Sequence, residues 1–142
     1  MKIGQFLAVG LASLTVAACT SISPVRITSG EQCFRCRRTI ADERVAAEII
    51  TGSFVSKFRA PGCMAIYIAS HPDEGGTVFV TDYTTGKMMK PDDAYFVPLL
   101  VNRDTGERDY RAYRLKAIAD MAAADLHVTA VDWATVLQKA RS

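Results

Sequence analysis

The chain has 142 residues, 49% of them hydrophobic and 23% charged, with 17 Lys and Arg against 15 Asp and Glu. That length supports one compact domain, or two very small units sharing a core, and it excludes a large enzyme. The near balance of charge excludes a nucleic-acid surface, which needs a clear basic excess.

In chain order, Met1-Lys2 opens a basic start, an apolar stretch runs from Phe6 to Val16, and Ala17-Ala18 precede Cys19. This is the layout of a secretory signal, and the apolar run is too short to span a membrane as a helix. Val16-Ala17-Ala18-Cys19 is similar to a lipobox, in which the cysteine thiol receives lipid and the chain is cut just before it. Residues 1–18 are therefore read as a lipoprotein signal peptide and Cys19 as the lipidated first residue of the mature chain. Acyl chains such as palmitate contribute roughly 0.8 kcal/mol per buried methylene, so two or three together give a durable anchor. Thr20, where an aspartate commonly marks retention at the inner membrane, favours the outer membrane, with the folded part facing the periplasm. Residues 19–30, rich in Ser and Thr with one Pro, read as a flexible tether.

Three thiols remain, Cys33, Cys36 and Cys63. In an oxidising compartment an odd number means one disulfide beside a free thiol, or three reduced sulfurs on a soft metal. Cys33-Phe34-Arg35-Cys36 forms a polar knuckle whose two sulfurs can face one ion, and Arg37-Arg38 after it favour thiolate. A Cys33–Cys36 disulfide is the competing reading, and Cys63 is a further candidate to bridge either of them. Val45 to Ile50 and Ser53 to Phe58, rich in β-branched and aromatic residues and broken at Thr51-Gly52, predict a hairpin. Pro61-Gly62 lead into a helix over Cys63 to Ser70, stopped by Pro72, and Thr77 to Asp82 predict a buried strand.

Cys63 thus opens a helix, where exposed N–H groups stabilise a thiolate; Met64 beside it offers a thioether or is simply core. Met88 and Met89, following Gly86, read as exposed and able to collect copper, or as a strand with one side chain in and one out. His71 and His127 read as surface or hydrogen-bonded residues rather than ligands. The order then recurs. Ala94 to Val101 and Tyr110 to Tyr113 predict a hairpin about Asp104-Thr105-Gly106, Leu115 to Ala124 a helix, and His127 to Val131 a short strand. A terminal helix is capped by Asp132 and runs from Trp133 to Ala140. Phe58-Arg59 echoes Tyr113-Arg114, and Val80-Thr81-Asp82-Tyr83 echoes Val131-Asp132-Trp133. The expected fold class is α+β: two small pseudo-repeated ββαβ units, roughly 31–86 and 87–142, packed together with a C-terminal helix. There is no Gly-rich phosphate loop, G-x-S-x-G, H-E-x-x-H or C-x-x-C-H, so no catalytic residue is assigned and the expected protein is not an enzyme.

These segments resemble the NosL family, lipoproteins that accompany nitrous oxide reductase and deliver copper to it. The likeness lies in the lipobox, Cys33-x-x-Cys36, Phe58-Arg59-Ala60-Pro61-Gly62-Cys63-Met64 ahead of a helix, and Val78-Phe79-Val80-Thr81-Asp82-Tyr83-Thr84-Thr85-Gly86. Ala94-Tyr95-Phe96-Val97 and the pattern around Ala119 and Trp133 also fit, so the resemblance spans most of 31–142. It implies paired ββαβ units, one bound Cu(I), and a metallochaperone role toward nitrous oxide reductase or its assembly factors. Candidate metal residues are then Cys33, Cys36, Cys63, Met64, Met88 and Met89. Two departures stand out: Arg37-Arg38 where the family commonly has Gly-Met, and Val97-Pro98-Leu99-Leu100-Val101-Asn102 where it tends to place a methionine. The alternative function is a structural or interaction lipoprotein with a disulfide in place of the metal.

Overall fold

In the computed structural model residues 20–142 are described, and the signal-peptide and Cys19 readings lie outside them. The β-branched run forms strand β1 (Ala47–Thr51) and pairs with β2 (Phe54–Phe58), joined by Gly52-Ser53. Gly52 has φ +60 and Ser53 does not turn positive, the arrangement of a type II′ turn, whose first central position only glycine adopts readily. The strand starts later than expected. Asp42 accepts the Arg44 N–H at 3.0 Å and nucleates a 3₁₀ turn over Glu43–Val45.

Helix α1 (Pro61–Ser70) begins with Pro61 at its first position, where a missing N–H costs nothing. Strand β3 (Thr77–Thr81) returns antiparallel to β1, and a two-residue strand β4 (Met88–Met89) pairs with β3, giving the sheet order β2-β1-β3-β4. The first sheet thus reaches past residue 86, the expected end of the first unit.

Strands β5 (Tyr95–Asn102) and β6 (Glu107–Tyr113) make a second, two-stranded sheet. β6 starts three residues before the expected Tyr110 because Glu107 and Asp109, poor strand formers, are held by ion pairs and hydrogen bonds across the molecule. Helix α2 (Lys116–Asp125) packs on β5, burying Ala119 and Ala123 against Val97 and Tyr113. It ends with His127 in the left-handed region, φ +54, while Val128 N–H reaches Ala123 O and His127 N–H reaches Ala124 O. That is a Schellman closure. It uses up the residues expected to start a strand, so the element predicted over His127 to Val131 is one bridge, Val131 to Phe96.

Asp132 then caps helix α3 (Trp133–Arg141), accepting the Thr135 N–H at 2.8 Å. The sequence echo has a structural counterpart. Asp82 accepts the Thr85 hydroxyl at 2.7 Å just as Asp132 accepts that of Thr135 at 2.6 Å, and a valine paired with its unit's first strand stands two residues before the first and directly before the second. One core joins the two sheets: Phe58, Met64, Val80 and Met89 from the first half pack with Phe96, Ala112, Trp133 and Val136 from the second. Each half alone leaves that core open, which is why they fold on one another.

The amino-terminal stretch is docked for part of its length. Val25 N–H donates to the buried Glu48 carboxylate at 2.7 Å, Lys57 Nζ donates to Arg26 O at 3.1 Å, and Ile27 is buried with Ile40 and Ala46. A flexible tether over 19–30 is therefore too long a reading; Val25 to Ile27 form a strap along the sheet.

A candidate metal centre of three cysteines

Cys33, Cys36 and Cys63 place their sulfurs within 4.8 Å of one another, and all three are free thiols. The knuckle carrying the first two is a short loop closed by paired backbone at Gln32 and Thr39. Cys33 N–H donates to Arg38 O at 2.9 Å, and Arg37 N–H to Cys33 O at 3.0 Å. To turn the chain back, Arg37 takes φ +61, a conformation that favours glycine. The Arg37-Arg38 departure from Gly-Met thus falls on a strained backbone position. Phe34 N–H donates to Lys57 O at 2.7 Å, fixing the knuckle against β2, and the Phe34 ring meets Phe58 and Tyr67 edge-on.

Cys63 arrives from the other side, as the third residue of α1. No side chain of the Ala60 cap serves the start of this helix; Asp109 of β6 does so, accepting the Gly62 N–H at 2.7 Å and its own neighbour Tyr110 N–H at 2.9 Å. A Cβ on Gly62 would lie 2.6 Å from that carboxylate oxygen, so only glycine admits the approach. Burial pushes the Asp109 carboxyl up, against the two N–H donors and the Arg59 guanidinium at 3.6 Å. Arg59 also pairs with Glu107, which in turn holds Arg38, so the knuckle, α1 and β6 are tied by one network of ions.

The sulfurs differ in environment. Cys33 and Cys63 lie 3.5 Å apart, Cys33 fully buried and Cys63 3% exposed, while Cys36 is half-buried. An S–H···S bond joins Cys33 and Cys63, and either sulfur can be its donor. That bond lowers the Cys33 thiol, over the cost of burial and with help from the backbone N–H groups of Cys36 and Arg59, while the same bond and burial push Cys63 up. The two sulfurs therefore titrate as one coupled pair. Arg35, inside the motif, also reaches a sulfur, 3.8 Å from Cys63 Sγ. Of the two arginines expected to favour thiolate, Arg38 sits between Glu107 and Cys36, and Arg37 lies over the Phe34 ring at 5.9 Å.

Met64 is fully buried in the same core cluster as Cys33 and Cys63. Met88 and Met89 are not exposed as expected. β4 alternates them, so that Met89 is 3% exposed in the main core and Met88 is half-buried against Ile27, Ile40 and Ala46 under the strap. His71 stacks on Tyr67 and bonds its carbonyl at 2.9 Å, and neither histidine belongs to the cysteine group. The supporting residues Arg35, Arg59, Glu107 and Asp109 were not legible as site residues. Asp109 lies 47 positions from the glycine it caps, with no local pattern to join them.

Three thiol sulfurs at this separation suit a soft ion, and the group contains no histidine or carboxylate among the described residues. Comparison with family models, with curated proteins and with solved structures gives no match.

Proposed function

We propose that this protein is a membrane-anchored copper-binding lipoprotein of NosL type, which holds Cu(I) at Cys33, Cys36 and Cys63 and hands it on in the cell envelope. The observation that carries this reading is the meeting of three free sulfurs from a knuckle and a helix start. Structural zinc sites are four-coordinate, and no fourth Cys, His, Asp or Glu joins the group among the described residues, whereas Cu(I) is satisfied by two or three soft donors. Three thiolates on one monovalent ion leave net negative charge, which Arg35, Arg38 and the α1 N-terminus offset. Half-exposed Cys36 gives the ion a way in and out, while Cys33 stays covered. The lipobox-like segment before Cys19 supports anchoring, Thr20 supports the outer membrane, and the likeness to NosL supports nitrous oxide reductase or its assembly factors as acceptor. On this reading the protein carries its ion without catalysing a reaction.

Anaerobic titration of the reduced domain with Cu(I) against a competing chelator tests the site. One equivalent should bind tightly, and a Cys33→Ser, Cys36→Ser double variant should lose it; equal binding by both proteins would sink the reading. The 3.5 Å separation of Cys33 and Cys63 favours a second reading, in which oxidation joins these two and leaves Cys36 free. Thiol counting on protein from the envelope separates the two, since three reactive thiols after metal removal exclude the disulfide form.

A further inference from the structure

A cleft of ≈ 460 Å³ opens beside Cys63, between α1, β6 and α3. Its size is that of a small-molecule site. One wall is apolar, from Ile66, Val136 and Ala140; the other holds Arg35, Arg59, Arg108 and Lys139 beside Glu107 and Asp109. The two carboxylates are engaged already, Glu107 by Arg38 and Arg59, Asp109 by the α1 start and Arg59. Arg35, Arg108 and Lys139 have no carboxylate partner among the described residues, and the Arg59 Nε–H is buried without an acceptor. An unpaired basic wall and an orphaned donor therefore flank a ligand sulfur.

We propose that this cleft binds a small carboxylate-bearing thiol, whose carboxylates meet Arg35, Arg108 and Lys139 while its sulfur exchanges with Cys63 on the bound Cu(I). The inference rests on the copper reading for its exchange step. In that step a bond forms from copper to the incoming sulfur as the copper–Cys63 bond breaks. The proton of the incoming S–H passes to the Cys63 sulfur, and copper remains Cu(I) with nothing oxidised. Arg35, within reach of Cys63 Sγ, faces both the departing and the arriving sulfur. After this exchange the ion sits on Cys33, Cys36 and the incoming sulfur. It leaves the protein when further thiols exchange in the same way at Cys36 and then Cys33, each copper–cysteine bond that breaks being replaced by a bond to an incoming sulfur and each freed cysteine taking that thiol's proton.

The test compares mercaptosuccinate, neutral 2-mercaptoethanol and cationic cysteamine at matched thiolate concentration, stripping Cu(I) from the loaded protein under anaerobic conditions. Metal remaining on protein is counted after rapid gel filtration. Mercaptosuccinate should act at least about tenfold faster than 2-mercaptoethanol, and cysteamine slowest, with the spread collapsing in high salt. An Arg108→Gln, Lys139→Gln double variant should show the same collapse. Equal rates across the three thiols, or a mercaptosuccinate preference that survives in the variant, would overturn the proposal. A second arm uses metal-free protein and NMR: mercaptosuccinate and succinate should shift the amides of Ile66, Val136 and Ala140 in the native chain and not in the variant. No shift overturns the cleft even if Cu(I) binds, whereas a shift without Cu(I) binding upholds the anion site and fails the copper reading alone.

Discussion

Arg37 and Gly62 are the two residues whose backbone and side-chain space bear most directly on the sulfurs. Arg37 holds φ +61 only because the knuckle bonds around it leave no choice. Arg37→Gly should therefore stabilise the protein by about 1 kcal/mol, seen as a higher denaturant midpoint with unchanged slope. Gly62→Ala should act the other way, since the new methyl meets the Asp109 carboxylate at 2.6 Å. A loss of about 1–3 kcal/mol is expected and, on the proposed copper reading, weaker Cu(I) retention as Cys63 shifts. Glu48 gives a pH signature. It is buried in mid-strand with one oxygen bonded to Val25 N–H and the other without a partner, and burial raises its carboxyl above the ordinary 4.5. Between the unfolded and folded values the native state binds more protons, so stability falls as pH rises through that window. Glu48→Gln should remove this part of the slope in unfolding curves taken from pH 4 to 7.

At the scale of elements, α3 closes the shared core through Trp133, whose ring packs on Phe96 at 5.4 Å between centroids. Trp133→Ala should cost about 3–5 kcal/mol in chemical denaturation, and should loosen the cleft that α3 walls. The elements legible in the sequence are those with a strong local cause: the β1–β2 hairpin with Gly52, α1 between Pro61 and Pro72, and α3 behind its Asp132 cap. The strand expected over His127 to Val131 failed because a helix-closing bond pattern took His127, a choice that β-branched composition does not reveal. β4 is legible only as the alternative reading of Met88-Met89, a strand with one side chain in and one out, because two residues have no period; the exposed reading fails on the strap above them. The knuckle was readable as a pair of cysteines. Its meeting with Cys63, 30 positions away, stands in the sequence as one of several open pairings, and the fold brings all three sulfurs together.

For the whole molecule, the strap sets how much described chain precedes the docked domain. Among the described residues, 20–24 make no bond to the sheet, so on the proposed lipid anchoring the leash is shorter than its composition suggests. A chain beginning at Ser29 should unfold at lower denaturant than one beginning at Thr20. Losing buried Ile27 alone removes about 1.5–3 kcal/mol, and the Glu48 oxygen loses its donor. Its Met88 should also become open to oxidation, read as methionine sulfoxide by mass spectrometry, since Met88 and the strap line one cleft.

The capping of α1 by Asp109 also dictates an order of events in a newly emerging chain. Cys33 and Cys63 can be present for a long stretch of synthesis before residue 109 appears to fix the helix start between them. On the envelope reading the chain crosses a membrane unfolded, and during that interval nothing holds the three sulfurs in their mutual geometry. They would meet an oxidising compartment as ordinary thiols, open to mispairing with one another or with strangers. Timely arrival of the β5–β6 hairpin or, on the proposed metal reading, of the ion itself would decide which sulfur chemistry the folded protein keeps.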